Sequence, residues 1–64
     1  MALRTFSLAD DRTVAINSKF VIAVNPYGEH GGKQLTQVVC HYGEKVMPFV
    51  VVGHFDAVVE TLQD

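Results

Sequence analysis

Three histidines and one cysteine are the residues of this chain best suited to chemistry: His30, His41, His54 and Cys40. Imidazole and thiolate are the usual zinc ligands, and zinc sites announce themselves by close pairs such as C-x2-C or H-x3-H. The chain has no such pair. Cys40 and His41 are adjacent, so on a strand their side chains leave on opposite faces. His30 falls in a glycine-rich stretch and His54 at the start of a helical pattern. We therefore expect no metal site, with Cys40 as a small core residue. A neighbouring imidazole at His41 or His54 would lower the pKa of the Cys40 thiol and make it a nucleophile. Covalent catalysis would also need an oxyanion site and a substrate pocket, and 64 residues leave little room for either. The carboxylates Asp10, Asp11, Glu29, Glu44, Asp56 and Glu60 fall at turns or on the polar side of the helical pattern, as a solvated surface and not as an acid–base pair. The expectation is a protein without catalytic residues or cofactor.

Two further motifs concern binding. Gly28-Glu29-His30-Gly31-Gly32-Lys33 has the glycines and lysine of a phosphate loop but not the spacing G-x-x-x-x-G-K-[S/T]. Gln34 stands where Ser or Thr is required, and a strand pattern follows where a helix should. The stretch reads as a hairpin loop, with Tyr27, His30 and Lys33 as candidate contacts, because loops carry binding residues more often than core segments do. Nucleic-acid recognition calls for a basic stripe with aromatic residues on one sheet face. Arg4, Arg12, Lys19, Lys33 and Lys45 are scattered singly, and Phe6, Phe20, Phe49, Phe55, Tyr27 and Tyr42 form no such motif. Five basic against seven acidic residues, a net charge of −2, give no general attraction to phosphate backbones. Nucleic acid is therefore not an expected partner.

These residues have to be positioned by one small domain spanning residues 1–64. At 48 % hydrophobic residues the chain is not disordered. The longest purely apolar run, residues 49–52, is far short of the ~20 residues of a membrane helix, and residues 1–5 lack the pattern of a secretion signal. With one cysteine no intrachain disulfide is available, which suits a reducing, cytoplasmic setting. Domains of this size bury only about 60 % of their unfolded surface and often rely on a disulfide, a metal or a partner chain. A partner chain is the remaining device.

The pattern predicts five strands and a helix. Residues 2–8 form a first strand with Arg4, Phe6 and Leu8 on one face, and Asp10-Asp11-Arg12 the turn. Residues 13–16 alternate, with Val14 and Ile16 on one side. Asn17-Ser18-Lys19 is a polar break. Residues 20–24 are β-branched and nearly continuously apolar, predicting a strand covered on both faces. Pro26 and three glycines make residues 25–32 a mobile loop. Residues 34–41 and 45–52 are strands joined by a tight turn at residues 42–44, and Pro48 predicts a bulge or an unpaired side. Phe55, Val58, Val59 and Leu62 then recur at helical spacing, with Gly53 or His54 as N-cap and Asp56 in the first turn. No Lys or Arg in the segment offsets the C-terminal end of the dipole, so the last turn should fray. The expected fold is α+β, a small antiparallel meander of about five strands followed by one amphipathic helix. Phe55, Val58, Val59 and Leu62 are expected to be the helix–sheet core.

The stretch 15–24 (AINSKFVIAV), the hairpin after it and the stretch 52–60 (VGHFDAVVE) resemble a group of very small bacterial and phage domains, the FlbD-like flagellar regulators among them. The resemblance spans residues 13–62 and turns on Asn17. The chain departs from that group by an additional N-terminal strand, a longer glycine-rich loop and Pro48. The resemblance implies a small regulatory or protein-interaction role without catalysis.

One short helix covers part of one sheet face, yet residues 20–24 and 49–52 are apolar on both sides. A contiguous apolar patch marks an interaction site. The leading expectation is a non-enzymatic interaction or regulatory module that self-associates, as a homodimer, through apolar sheet surface or a free strand edge, and that binds a further protein. The alternatives are a nucleic-acid-binding transcriptional regulator and a small metal-binding protein using Cys40 and the histidines.

Overall fold

The structure, a computed structural model, describes residues 3–63. The element order is five strands and a C-terminal helix: β1 (Leu3–Ser7), β2 (Thr13–Asn17), β3 (Val21–His30), β4 (Lys33–Tyr42), β5 (Lys45–Val52) and α1 (Phe55–Gln63), with a 3-10 turn at Ser18–Phe20 between β2 and β3. All strand pairing is antiparallel. The meander divides at the 3-10 turn into a β1–β2 hairpin and a three-stranded sheet ordered β3-β4-β5. Asn17 causes the division: its side-chain Oδ1 accepts from the Lys19 backbone N–H at 3.0 Å and caps the turn. A cap of this kind satisfies a donor that a continuing strand would have paired.

The two sheets form layers. In an antiparallel ladder, residues directly opposite share a face. The register Val24–Val38–Phe49, Pro26–Thr36–Val51 and Val21–Cys40–Met47 therefore defines the inward face of β3-β4-β5. Phe6, Leu8, Val14 and Ile16 of the β1–β2 hairpin pack on it, as do Val58 and Leu62 of α1. Ile16, Val38, Cys40 and Val51 are fully buried and Val58 nearly so. Each such side chain contributes roughly 1.5–3 kcal/mol of burial. Phe55 and Val59, on the same helical stripe, are half-buried. The hairpin also touches the β5 edge, where Leu8 bridges Val51 and the Ala9 N–H donates to the Val50 carbonyl at 3.3 Å.

Three local expectations are corrected. The apolar segment at residues 20–24 is not covered on both faces. Phe20 ends the 3-10 turn, and β3 is an edge strand with Ile22 56 % exposed in a bulge between Val21 and Ala23. The stretch 25–32 is not an irregular loop, because β3 continues to His30 and only Gly31 and Gly32 turn. A second register shift, between Pro26 and Gly28, absorbs the proline on an edge where a missing donor is tolerated. Gly31 and Gly32 have φ of 60° and 79°, the positive pair that a two-residue hairpin of type I′ demands. Finally, the helix C-terminus does have a cation. Arg4, on the inward row of β1 beside Ile16, donates from Nε to the Thr61 carbonyl at 3.3 Å. The residue is 57 positions away in sequence, beyond the reach of any local pattern. Pro48 causes no register shift and stands opposite Val39 on the outer strand of the sheet.

Candidate functional site

The outward face of β3-β4-β5 consists of the rows Ala23–Val39–Pro48, Asn25–Gln37–Val50, His41–Val46 and Leu35–Val52. The strands of the β1–β2 hairpin and α1 contribute their apolar residues to the opposite side, and only the β1–β2 turn, at Ala9 and Asp11, reaches the Leu35–Val52 end of this face. Within these rows His41 is the one ionisable side chain. Charged groups stand beyond them: Lys33 with His30 at one end and the Gly43-Glu44 turn at the other. Lys45 pairs with Tyr42 and so belongs to the inward parity, whereas Glu29, paired with Gln34, lines the cleft at the Lys33 end of the face.

The two ends of this face differ. At the Gly43-Glu44 end, exposed apolar side chains gather. Phe20 meets the His41 ring edge-on at 5.8 Å and the Tyr42 ring at 6.1 Å. Phe20, Ile22 and Val46 are 40 %, 56 % and 59 % exposed, and Tyr42 and Met47, of inward parity, are 44 % and 45 % exposed at the same end of the sheet. At the other end the face is concave. Leu35 and Val50 form the floor of a cleft of about 490 Å³ with Ala9, Tyr27, Glu29 and His30 along its walls. A smaller cavity of about 260 Å³, shared with Asp11, Lys33 and Val52, continues it between the β1–β2 turn and the β3–β4 hairpin. Leu35 is outward by register and yet only 8 % exposed, because it lies at the bottom of this cleft.

The structure places the sequence-derived candidates as follows. His30 and Lys33 face each other across the hairpin turn and line the smaller cavity together. Tyr27, 58 % exposed, joins His30 on the larger one. Cys40 lies in the core, His41 on the opposite face, and His54 at the start of α1, where its Nδ1 accepts from the Asp56 N–H at 3.4 Å. His54, not Gly53, is thus the N-cap. Among the described residues no three of the His, Cys, Asp and Glu side chains converge as a metal-binding group. Burial pushes the Cys40 thiol pKa up, which keeps it protonated, the reverse of what a nucleophile requires. Asp10 is held below the ordinary carboxylate range, first by the Arg12 backbone N–H and also by the Arg12 guanidinium, 2.8 Å away. That pair is a turn clamp on the surface.

Sequence reasoning missed the cleft. Its walls come from residues 9–11 and 27–30, far apart in the chain, one beside the expected turn at residues 10–12 and the other within the expected mobile loop at residues 25–32. Phe20 was likewise assigned to a strand, and only the 3-10 turn swings its ring onto His41 and Tyr42. No helix among the described residues is long and apolar enough to cross a membrane. No protein-family model, no curated protein and no solved structure matches the chain.

Proposed function

We propose that this chain is a non-enzymatic protein-interaction module that self-associates through the outward face of β3-β4-β5. One observation carries the reading. The uncovered face presents Ala23, Val39, Val46, Pro48 and Val50 with no carboxylate or ammonium group among them, and exposed Phe20 and Ile22 beside it. Apolar surface of this extent is stabilised by being covered. The strand edges favour face pairing over edge pairing: β3 is interrupted by two bulges and Pro26, and β5 carries Pro48 and is already met by Leu8 and Ala9 at Val50 and Val51. A small regulatory role, as the FlbD-like resemblance implies, and a reducing cytoplasmic setting, in keeping with the buried free Cys40 thiol, complete the reading.

Light scattering on a size-exclusion column tests it. The expected result is a weight-average mass that rises with concentration toward twice the chain mass. A mass that stays at one chain up to about 1 mM, well above the Kd range of functional small interfaces, would remove self-association.

A further inference from the structure

The geometry points to the cleft between the β1–β2 turn and the β3–β4 hairpin as a binding site for a free α-amino acid with a large apolar side chain. The site lies within one chain and does not rest on the self-association reading above. Its lining divides by chemistry. Leu35 and Val50 floor the cleft of about 490 Å³, and Tyr27 gives it an aromatic wall. Glu29 and His30 line the same cleft, while Asp11, His30 and Lys33 line its extension of about 260 Å³. Ala9, His30 and Leu35 are common to both, so one ligand can occupy the two together. Opposite charges thus face one small cavity, yet among the described residues no ion pair joins Asp11 to Lys33 or holds Glu29. The neighbouring Asp10 differs, being clamped by Arg12 at 2.8 Å.

That set of groups selects the ligand. A wholly apolar molecule would strip water from the charges and return no hydrogen bond to them. A simple acid meets the carboxylates of Asp11 and Glu29, and a simple amine meets the Lys33 ammonium; like charges repel in both cases. A zwitterion satisfies both signs. Its ammonium donates to Asp11 and Glu29, its carboxylate accepts from Lys33 and His30, and such charge-assisted bonds are the strong ones. The two charges and the side chain of an α-amino acid leave one carbon, which suits a mixed-charge cavity that opens onto an apolar floor. The side chain then covers Leu35 and Val50 beside the Tyr27 ring. Both volumes suit small-molecule sites. The charged walls are exposed, and a ligand of about a dozen non-hydrogen atoms bound there has a dissociation constant on the order of 1 mM.

Titration of the isotope-labelled chain with L-phenylalanine, followed by amide chemical shifts, tests the site. The expected result is saturable shifts at Ala9, Gly31 and Leu35 with the signals of α1 unmoved. Phenylpropionate, which lacks the ammonium, and phenethylamine, which lacks the carboxylate, should each bind about tenfold or more weakly than phenylalanine. Glycine, without a side chain for the floor, should give no saturable shift. Two variants assign the charges. Lys33→Gln should weaken phenylalanine about tenfold and leave phenethylamine unchanged. Asp11→Asn should weaken phenylalanine by a similar factor and leave phenylpropionate unchanged; asparagine tolerates the φ of 71° at this position. The comparison of ligands on the unsubstituted chain decides the matter even where a variant fails to fold. Phenylpropionate or phenethylamine binding as tightly as phenylalanine overturns the proposal, as do shifts spread evenly over the chain, or none at these residues at about 50 mM phenylalanine. Self-association is read separately by sedimentation, and neither of its outcomes decides this one.

Discussion

Thr36 is the fully buried polar side chain among the described residues, and its hydroxyl donates to the Gly53 carbonyl at 2.9 Å. That bond ties the central strand to the turn that starts α1. Thr36→Val keeps the shape and leaves the carbonyl with one partner fewer. A loss of about 1–2 kcal/mol is expected, read as a lower urea midpoint with an unchanged slope. Cys40 makes the second residue-scale prediction. Its thiol pKa is raised in the folded state by burial, so the folded chain holds that proton to higher pH than the unfolded chain does. The stabilisation is fully present below the unfolded value of about 8.5 and is lost as pH rises above it. Urea midpoints should therefore fall between about pH 8 and pH 10, and Cys40→Ala should flatten that limb. A thiol reagent should label Cys40 only through transient opening. Fast labelling of native protein at neutral pH would contradict its place in the core.

At the scale of elements, α1 is nine residues long and depends on what touches its ends. Arg4→Ala removes the guanidinium that reaches the Thr61 carbonyl and should cost about 0.5–1 kcal/mol, with earlier hydrogen exchange in the last turn of α1 than elsewhere in the helix. Exchange unchanged in that turn would show that the contact does not hold it. The β3–β4 hairpin gives a sharper case. Gly32→Val places a β-branched residue at a φ of 79°, and a loss of at least about 1–2 kcal/mol is expected with no change at the distant Gly43-Glu44 turn. Such elements differ in how far the sequence discloses them. The alternation of Val14 and Ile16 and the helical stripe of Val58 and Leu62 are local periodicities, and both were legible. Pro26 and the glycines were read as a loop because local propensity favours one. The pairing of Gln37 with Asn25 and of Leu35 with Gly28 overrides it and stretches the strand to His30. Asn17 showed as a polar break, but the cap it forms, and hence the split into two sheets, depends on one side-chain hydrogen bond.

For the whole molecule, the sequence contained the imbalance and not its location. Apolar residues on both parities of two strands implied surplus surface. The layered fold assigns it to one face, because the hairpin and α1 both pack on the other. The cleft at Leu35 and Val50 was not legible, since it needs the turn at residues 9–11 to come beside the β3–β4 hairpin, a contact no spacing rule encodes. Val46 offers the cleanest probe of what the open face does. It is 59 % exposed, takes no part in the core, and stands on the outward row with His41. Its replacement by a cation leaves the fold intact and places charge where the face has none. Sedimentation equilibrium of the unsubstituted chain and of Val46→Lys, from about 10 µM to about 1 mM, therefore tests the central claim most directly. The account predicts that the unsubstituted chain moves toward twice its mass over this range, while Val46→Lys stays at one chain with an unaltered circular dichroism spectrum and melting temperature. A Val46→Lys dimer as strong as that of the unsubstituted chain, or no dimer in either, would contradict it.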